Sequence, residues 1–377
     1  MAYIWQDPHW PKLHWDDAIV ARCLARVARE QGRILGKMEG IGFDLRAEAH
    51  LRTLTDDVIQ SSEIEGQKLE RDQVRSSIAR RLGMDLAGLV PADRDVEGVV
   101  EMMMDATSNY AKPLTAERLF DWHAALFPTG RSGMRAIKVG AWRQDSGDPM
   151  QVVSGPIGRE KVHYEAPPAN RVSDEMNAFL RWFAKPDDTP PQLVAGLAHL
   201  WFVTIHPFED GNGRIARAIA DMALARSEET NQRFYSMSSQ IRLERNDYYD
   251  MLESTQRSDT DITRWQGWFL ECLLRAIERA HTTLGAVLAK ARFWERFAKQ
   301  ALNERQTKVL NLLLEGFQGK LTSSKWAKLT KSSQDTANRD IADLVQRGAL
   351  RREGGGRSTS YSLVMDVSDR HSPGRGQ

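Results

Sequence analysis

The residues best suited to chemistry lie within residues 206–217. His206 carries an imidazole whose ordinary pKa is near neutrality, so it can take a proton from a reacting hydroxyl. Asp210 is a hard oxygen ligand of the kind that Mg²⁺ prefers when it accompanies a polyphosphate. Arg214 and Arg217 are three residues apart and share a helix face, where both can pair with phosphate oxygens. The stretch therefore predicts a phosphate site with a base beside it.

Two helices must position this site. Pro207 disfavours helix at His206, so the helix predicted over 191–205 ends there. Gly211 and Gly213 form a turn that leads into the next helix, and the N–H groups exposed at such a helix start suit phosphate oxygens. The alternative is an ordinary helix–loop–helix with a surface histidine and solvated arginines. The coincidence of base, metal ligand, turn and paired arginines in one short stretch disfavours that alternative.

This stretch resembles the signature of the Fic (filamentation induced by cAMP) family, His-x-Phe-x-[Asp/Glu]-Gly-Asn-Gly-Arg-x-x-Arg, and matches it at every specified position. The family transfers AMP from ATP to hydroxyl side chains of target proteins. The resemblance implies that His206 is the catalytic base, that Asp210 holds Mg²⁺ on the α- and β-phosphates, and that Arg217 pairs with the γ-phosphate. The implied anion hole consists of Gly211, Asn212, Gly213 and Arg214.

A second motif lies upstream, where residues 61–66 match the family's inhibitory pattern [Ser/Thr]-x-x-x-Glu-[Gly/Asn]. Ser61 and Gly66 occupy its first and last positions. By resemblance, Glu65 forms an ion pair with Arg217 and blocks productive ATP binding. Taken alone, the pattern also fits a solvated helical carboxylate, but its position upstream of a complete signature favours the inhibitory interpretation.

Weaker patterns extend the site on both sides of the signature. A β-like segment over 135–168, ended by two prolines at 167–168, is interpreted as a flap hairpin that docks the target backbone as an added strand. Its docking residues are Gln151, Val152, Val153 and Ser154. Tyr248, Tyr249 and Gln256 follow the signature at about the distance where relatives contact the adenosine, although relatives often have Asn at the last position. Core packing is the alternative for the two tyrosines.

Apolar spacing predicts a mainly α fold, namely a helical Fic core with a short β-hairpin flap, an N-terminal helical domain and a C-terminal winged helix-turn-helix. Thr115 is a predicted N-cap. Helices are predicted from Asp16 to Gly40 and over 45–64, 70–81, 171–184, 191–205, 212–226, 246–256, 262–295, 303–316, 322–330 and 333–347. The predicted domains are 1–90, helical with the inhibitory motif; 91–295, Fic catalytic; 296–366, winged helix-turn-helix; and 367–377, a flexible tail.

The C-terminal unit has two competing interpretations. Residues 301–364 contain eleven basic and six acidic side chains, a modest excess for DNA binding. Polar residues 332–339 open its third helix, where a recognition helix would meet a major groove. Arg351, Arg352 and Arg357 would flank the wing. The alternative is a protein-interaction or dimerisation module.

Composition excludes several other classes. The 377 residues include 41% hydrophobic and 27% charged residues, so the chain can bury sizeable cores. A net charge of +1 argues against a globally basic nucleic-acid coat. Two cysteines, Cys23 and Cys272, exclude a disulfide scaffold and a cysteine-based zinc site. The longest apolar run, residues 193–205, is too short for a membrane span, and no signal peptide is evident, so we expect a cytoplasmic protein.

The sequence thus predicts a protein adenylyltransferase that moves AMP from Mg-ATP to a Ser, Thr or Tyr hydroxyl and is autoinhibited by Glu65. Two alternatives remain open, a DNA-binding regulator with an ATP-sensing Fic domain and a hydrolase that removes AMP from modified targets. The expected partners are a hydroxyl-bearing target protein and the protein itself through self-AMPylation. DNA contact through the C-terminal unit and a homodimer are further expectations.

Overall fold

The computed structural model describes residues 3–84, 88–145, 147–156, 159–186, 188–297, 300–314, 317, 319–355 and 359–365, without the side chains of residues 44, 286–288 and 291. Contacts divide the chain into two compact units, Met1–His281 and Thr282–Gln377. The fold is mainly α with short antiparallel strand pairs, which confirms the predicted fold class. Among the described helices, none combines the length and apolar character that a bilayer crossing requires. The domain boundaries predicted from sequence remain predictions.

The first unit opens with helices that confirm the predicted periodicity. They are α1 (Asp17–Glu39), α2 (Phe43–Ile64) and α3 (Arg71–Arg81). The Asp16 side chain caps α1 by accepting hydrogen bonds from the N–H groups of Ala18 and Ile19. Glu65 is the C-cap of α2, and Gly66 follows in the left-handed conformation at φ +82°. Helix α2 therefore ends abruptly and leaves the Glu65 side chain at its tip.

The rest of the first unit surrounds the signature segment. Its helices are α4 (Arg94–Ser108), α5 (Ala116–Leu126), α6 (Val172–Ala184), α7 (Pro191–Ile205), α8 (Asn212–Glu228), α9 (Met237–Leu243), α10 (Arg245–Gln256) and the part of α11 (Thr263–Phe297) up to His281. Thr115 accepts a hydrogen bond from the N–H of Arg118, which confirms the predicted cap. Helices α7 and α8 pack against each other at the centre, and α7 is buried along nearly its whole length. The sequence analysis placed no helix at α4 or α9.

Short hairpins complete this unit. Strands β1 (Arg131–Ser132) and β2 (Arg135–Ala136) pair with each other; β2 lies at the start of the predicted β-like segment, whereas no strand is predicted at β1. Strands β3 (Gln151–Ser154) and β4 (Lys161–Glu165) form an antiparallel pair at the place of the predicted flap, here called the flap hairpin. Its two strands make a separate two-stranded sheet.

The second unit contains α12 (Glu304–Leu314), α13 (Ser323–Thr330), α14 (Gln334–Gln346), β5 (Leu350–Glu353) and β6 (Ser360–Leu363). Its core includes the buried side chains of Trp326, Ile341, Leu344 and Leu350. Three helices followed by an antiparallel hairpin is the predicted order, while the winged-helix assignment remains a prediction. Arg351 and Arg352 are exposed, and Arg357 and the tail 367–377 lie outside the described residues.

Candidate active site

The site is built around the loop that joins α7 to α8. His206 ends α7 with left-handed dihedral angles, φ 51° and ψ 58°, which a non-glycine residue adopts rarely. The buried Arg143 stabilises this conformation, because its Nε donates to the carbonyl of His206 at 2.7 Å and its guanidinium also donates to the carbonyl of Pro167. The Arg143 N–H donates to the carbonyl of Pro207 at 2.8 Å. No sequence pattern points to Arg143, since it lies 63 residues before His206 and belongs to no motif.

The imidazole of His206 is held in one tautomer. Its Nδ1 lies 3.2 Å from the carbonyl oxygen of Val203, which can only accept, so Nδ1 carries the hydrogen and Nε2 keeps a free lone pair. Burial lowers the pKa of His206 to about 4, and the nearby charge of Arg143 acts in the same direction. The ring is therefore neutral at physiological pH and able to accept a proton at Nε2.

Asn212 and Phe208 fix the shape of the loop. Phe208 is buried and stacks on His123 at 4.2 Å between ring centroids. The Asn212 side chain accepts from the N–H of Phe208 at 3.0 Å and donates to its carbonyl at 2.9 Å. Gly211 has φ +80°, and a Cβ there would lie 2.9 Å from the Phe127 ring. The Asn212 side chain is thus used within the loop, so a contribution to an anion hole would come from its backbone.

Asn212, Gly213 and Arg214 form the first turn of α8. The N–H groups of a first turn have no partner within their own helix and attract anions. The Arg214 guanidinium lies 5.0 Å above the Phe127 ring and donates to the amide oxygen of Gln67 at 2.9 Å. The tip of α2 therefore reaches this helix start.

Arg217 binds the tip of α2 through three contacts. Its Nε donates to the hydroxyl of Ser61 at 2.9 Å, and one terminal nitrogen donates to the Ser61 carbonyl and to Glu65 Oε1, both at 2.8 Å. The Arg217 side chain is 2% exposed, whereas that of Glu65 is 33% exposed. The ion pair that the resemblance implies is present, and Ser61 contributes to it as well.

The Glu65 carboxylate also covers the start of α8. A Cβ added to Gly213 would overlap Glu65 Oε1, so the carboxylate lies directly against this backbone. A helix N-terminus with adjacent arginines is where a phosphate oxygen would be expected to bind. Glu65 therefore occupies an anion position of the site, and Gly66 lets the chain turn away behind it.

Asp210 lies in the loop beside this anion position. One carboxylate oxygen accepts the N–H of Gly211 at 2.6 Å, and the other accepts the hydroxyl of Ser132. No group of three His, Cys, Asp or Glu side chains close enough to hold a metal occurs among the described residues. Mg²⁺ needs no such group, because it usually binds through one or two carboxylates plus substrate phosphates. The single oriented carboxylate of Asp210 fits a cation that arrives with a nucleotide.

The flap hairpin is anchored next to His206. The hydroxyl of Tyr164 donates to the carbonyl of Thr204 at 2.6 Å, and the indole of Trp5 donates to the carbonyl of Glu165 at 2.8 Å. Gln151 donates to the Glu165 side chain at 2.9 Å. Val152 is partly buried, whereas Val153 and Ser154 are exposed. Their role in docking a target remains a prediction.

The candidate adenosine contacts have diverse environments. Tyr248 is buried, and its hydroxyl hydrogen-bonds Nε2 of the buried His199 at 2.9 Å. Tyr249 is partly exposed and donates to the carbonyl of Ile64 at 3.3 Å, next to Glu65. Gln256 is buried and donates to the Thr204 hydroxyl at 3.3 Å. Core packing, the alternative weighed for the tyrosines, describes Tyr248 better than Tyr249, and the adenosine role remains a prediction for all three.

Two family models match parts of the chain. A Domain of unknown function (DUF4172) matches residues 3–84, and the Fic/DOC family matches residues 113–224. The Protein adenylyltransferase Fic of Nematostella vectensis is 34% identical over 128 residues, which are 33% of this chain and 28% of that protein. The match thus spans less than a third of that relative's length.

Solved structures share the fold. A Fic family protein from Desulfovibrio desulfuricans G20 aligns over 98% of this chain and 100% of its own, with a TM-score of 0.54 and 20% identity. A Fic domain containing signaling protein from Bacteroides thetaiotaomicron VPI-5482 aligns over 70% of this chain and 98% of its own, with a TM-score of 0.50 and 18% identity. Residues 113–224 therefore match the Fic/DOC family model, and the fold agrees with that of these two structures.

Proposed function

We propose that this protein is an adenylyltransferase that moves AMP from ATP to a Ser, Thr or Tyr hydroxyl of a target protein. The observation that carries the proposal is the neutral His206 imidazole, with Nε2 free, on the loop that leads into the start of α8. The target hydroxyl attacks the α-phosphorus and gives its proton to Nε2. The new O–P bond replaces the bond to the β-phosphate, and pyrophosphate leaves.

The other site residues stabilise charge in this reaction. The first-turn N–H groups of α8 and the Arg214 guanidinium would bind phosphate oxygens, which suits a transfer that depends on positioning and charge neutralisation. Mg²⁺ held by Asp210 would neutralise part of the charge on the α- and β-phosphates. Tyr248, Tyr249 and Gln256 are the proposed adenosine contacts.

Glu65 is the proposed inhibitor of this reaction. Its carboxylate contacts Arg217 and the backbone of Gly213, which is where the γ-phosphate would otherwise bind. Two anions cannot share one guanidinium without strong repulsion, so ATP must displace Glu65 to bind productively. The half-exposed position of Glu65 makes this displacement accessible from solvent.

The proposed partners follow from the same arrangement. The flap hairpin would bind an extended segment of the target along β3, and the chain itself is a candidate target. The C-terminal unit is proposed to bind DNA, with a homodimer as the alternative use of that unit. Both cysteines are free and buried, which is compatible with the proposed cytoplasmic location.

The test is AMP transfer from labelled ATP, measured by intact mass. We expect His206→Ala to lower transfer by about 10²–10⁴-fold, the usual contribution of a general base, while ATP binding survives. His9→Ala is the matched control, because His9 is exposed and pairs only locally with Asp7. Unchanged transfer by His206→Ala would exclude the proposed base.

A further inference from the structure

Three residues at the flap hairpin form a hydrogen-bonded chain that has no chemical role in the proposed AMP transfer, in which Ser154 serves only as a docking residue. Ser154 Oγ lies 2.6 Å from His163 Nε2, and His163 Nδ1 lies 2.6 Å from Glu253 Oε2. Each imidazole nitrogen therefore has its own partner, a hydroxyl on one side and a carboxylate on the other. Serine, histidine and a carboxylate in this order are the arrangement that activates a nucleophilic serine.

The fold creates this arrangement from distant parts of the chain. Val152 pairs with Tyr164 and Val153 pairs with Val162, so β4 contributes one extra residue between them, His163. Such a bulge re-aims a side chain out of the regular ladder. Ser154 pairs with Lys161, which leaves it diagonal to His163. The carboxylate comes from Glu253 in the last turns of α10.

The hydrogen-bond pattern suits a base at His163. Burial acts to raise the pKa of Glu253, but the hydrogen bond from His163 and the nearby cations Lys161 and Arg257 outweigh it and lower this pKa. The ionised carboxylate can only accept, so Nδ1 carries a hydrogen, and in that tautomer Nε2 can accept the Ser154 O–H. The hydroxyl itself is exposed and accessible from solvent.

The surrounding charge indicates which electrophile this serine would meet. Lys161 lies opposite Ser154 in the ladder, with its ammonium 3.5 Å from Glu253, and the Arg257 Nε lies 3.5 Å from the same carboxylate. Two cations therefore lie close to the Glu253 carboxylate. Anionic phosphorus groups are stabilised by such an excess of positive charge, and they accept attack by a hydroxyl.

We propose that Ser154, His163 and Glu253 form a second reactive site, in which Ser154 is a nucleophile for phosphorus electrophiles of the phosphate-ester or phosphoanhydride class. Oγ bonds to phosphorus, the bond from phosphorus to the leaving oxygen breaks, and the hydroxyl proton moves to His163 Nε2. Glu253 is a positioning residue that orients the imidazole and stabilises its protonated form.

The test uses the full chain and a fluorophosphonate probe, and it needs neither ATP nor Mg²⁺. Attack by Oγ breaks the P–F bond and releases fluoride, and the modified peptide is identified by mass spectrometry. We expect labelling at Ser154, none in Ser154→Ala, and labelling at least about 100-fold slower in His163→Gln, because the general base is lost. Ser254→Ala is the matched control, since Ser254 is exposed and its hydroxyl bonds only the carbonyl of Met251.

Glu253 requires a readout that separates positioning from structure. Glu253→Gln should slow labelling by about tenfold, a smaller loss than removal of the base itself. Glu253→Asp, which keeps the carboxylate, should recover part of the rate. Labelling of Ser154 that is absent, or that proceeds at the same rate in His163→Gln, would overturn the proposal and reduce the three residues to an ordinary surface network.

Discussion

Two buried arginines illustrate two ways of holding helices together in this protein. Arg217 and Arg233 have side chains that are each 2% exposed. Arg217 pairs with Glu65, which is 33% exposed at the tip of α2. Arg233 pairs at 3.1 Å with Asp221, which is 1% exposed, and its other terminal nitrogen lies 3.9 Å from the equally buried Glu228. One ion pair opens to solvent and the other does not.

The difference follows from what can replace each carboxylate. In the proposed inhibition, a phosphate that enters from solvent would take the place of Glu65, because that carboxylate is partly exposed and would move into water as it leaves. The carboxylates around Arg233 have no such route, and loss of the cation would leave them buried without a counter-charge. The fully buried pair therefore suits a permanent contact between helices, whereas the pair with the partly exposed Glu65 suits an exchangeable contact.

Asp57 connects the two regions. It lies on α2 and accepts hydrogen bonds from the Ser236 hydroxyl at 2.5 Å and from the N–H of Ser238 at 3.1 Å. Asp57 thus fixes the middle of α2 beside the Arg233 cluster. Glu65 lies eight residues further along, about 12 Å at the helical rise, where the helix ends.

The largest expected effect is a loss of folding stability when Arg233 is removed from its buried ion pair with Asp221. Arg233→Met should destabilise the fold by about 3–5 kcal/mol, the usual cost of leaving buried charges without their partner. The measurement is urea unfolding followed by circular dichroism. Arg242→Met is the control, because Arg242 is half-exposed and lies 3.6 Å from Glu63 in a surface pair worth less than about 1 kcal/mol. Equal losses in the two variants would show that the buried cluster does not hold the helices together.

Removal of the Glu65–Arg217 ion pair should change the rate of AMP transfer. Glu65→Gly should raise self-AMPylation at least about tenfold, because a charge-assisted pair contributes roughly 1.5–3 kcal/mol and 1.4 kcal/mol is a factor of ten. Incorporation of AMP under identical Mg-ATP measures it. Glu63→Gly is the control, since Glu63 faces Arg242 instead of Arg217.

Arg217→Ala distinguishes the inhibitory ion pair with Glu65 from the proposed contact between Arg217 and the γ-phosphate. This variant frees Glu65 but also removes the guanidinium that the γ-phosphate would bind, so it should not reproduce the gain of Glu65→Gly. A gain of the same size in Arg217→Ala would mean that Arg217 only anchors the tip of α2. Equal AMP incorporation by the wild type and Glu65→Gly would show that Glu65 does not inhibit transfer and that the N-terminal helices have another function.

A smaller effect is expected from pH. Burial lowers the pKa of His206 to about 4, so the neutral base persists as the pH falls and transfer decreases only as the pH approaches that value. The rate of Glu65→Gly at pH 6 should therefore lie within about twofold of the rate at pH 7.5. A base with an ordinary pKa of about 6.5 would instead lose roughly three quarters of its rate. The pH profile of AMP transfer distinguishes these outcomes.

The smallest effect should come from removal of the second compact unit. A chain that ends at His281, where the first unit ends, should keep AMP transfer within about twofold, because no proposed site residue lies beyond Gln256. If residues beyond 281 bind DNA, that affinity of the full chain should fall steeply with salt as counterions are released. Salt-independent or absent DNA binding would favour the protein-interaction interpretation of this unit.

The local spacing of apolar and capping residues determined most of the secondary structure. The helix periods, the Thr115 cap and the order of elements are visible in sequence because each depends on neighbours a few residues apart. Helix α4 was also predictable from its apolar spacing, because Val96, Val99, Val100 and Met103 recur at helical intervals and are buried. Helix α9 spans seven residues, too few for a periodic pattern.

In the candidate site, too, some residues could be predicted from local sequence and others only from the tertiary structure. The signature placed His206, Asp210 and the arginines within twelve residues, so their types and order could be read directly. Only the tertiary structure assigned Arg143 to the carbonyl of His206 and brought Ser154, His163 and Glu253 together. These contacts join residues up to 90 positions apart, and a single sequence contains no local pattern for them. Their geometry depends on a β-bulge and on how α10 packs against β4, which are decided when the whole core forms.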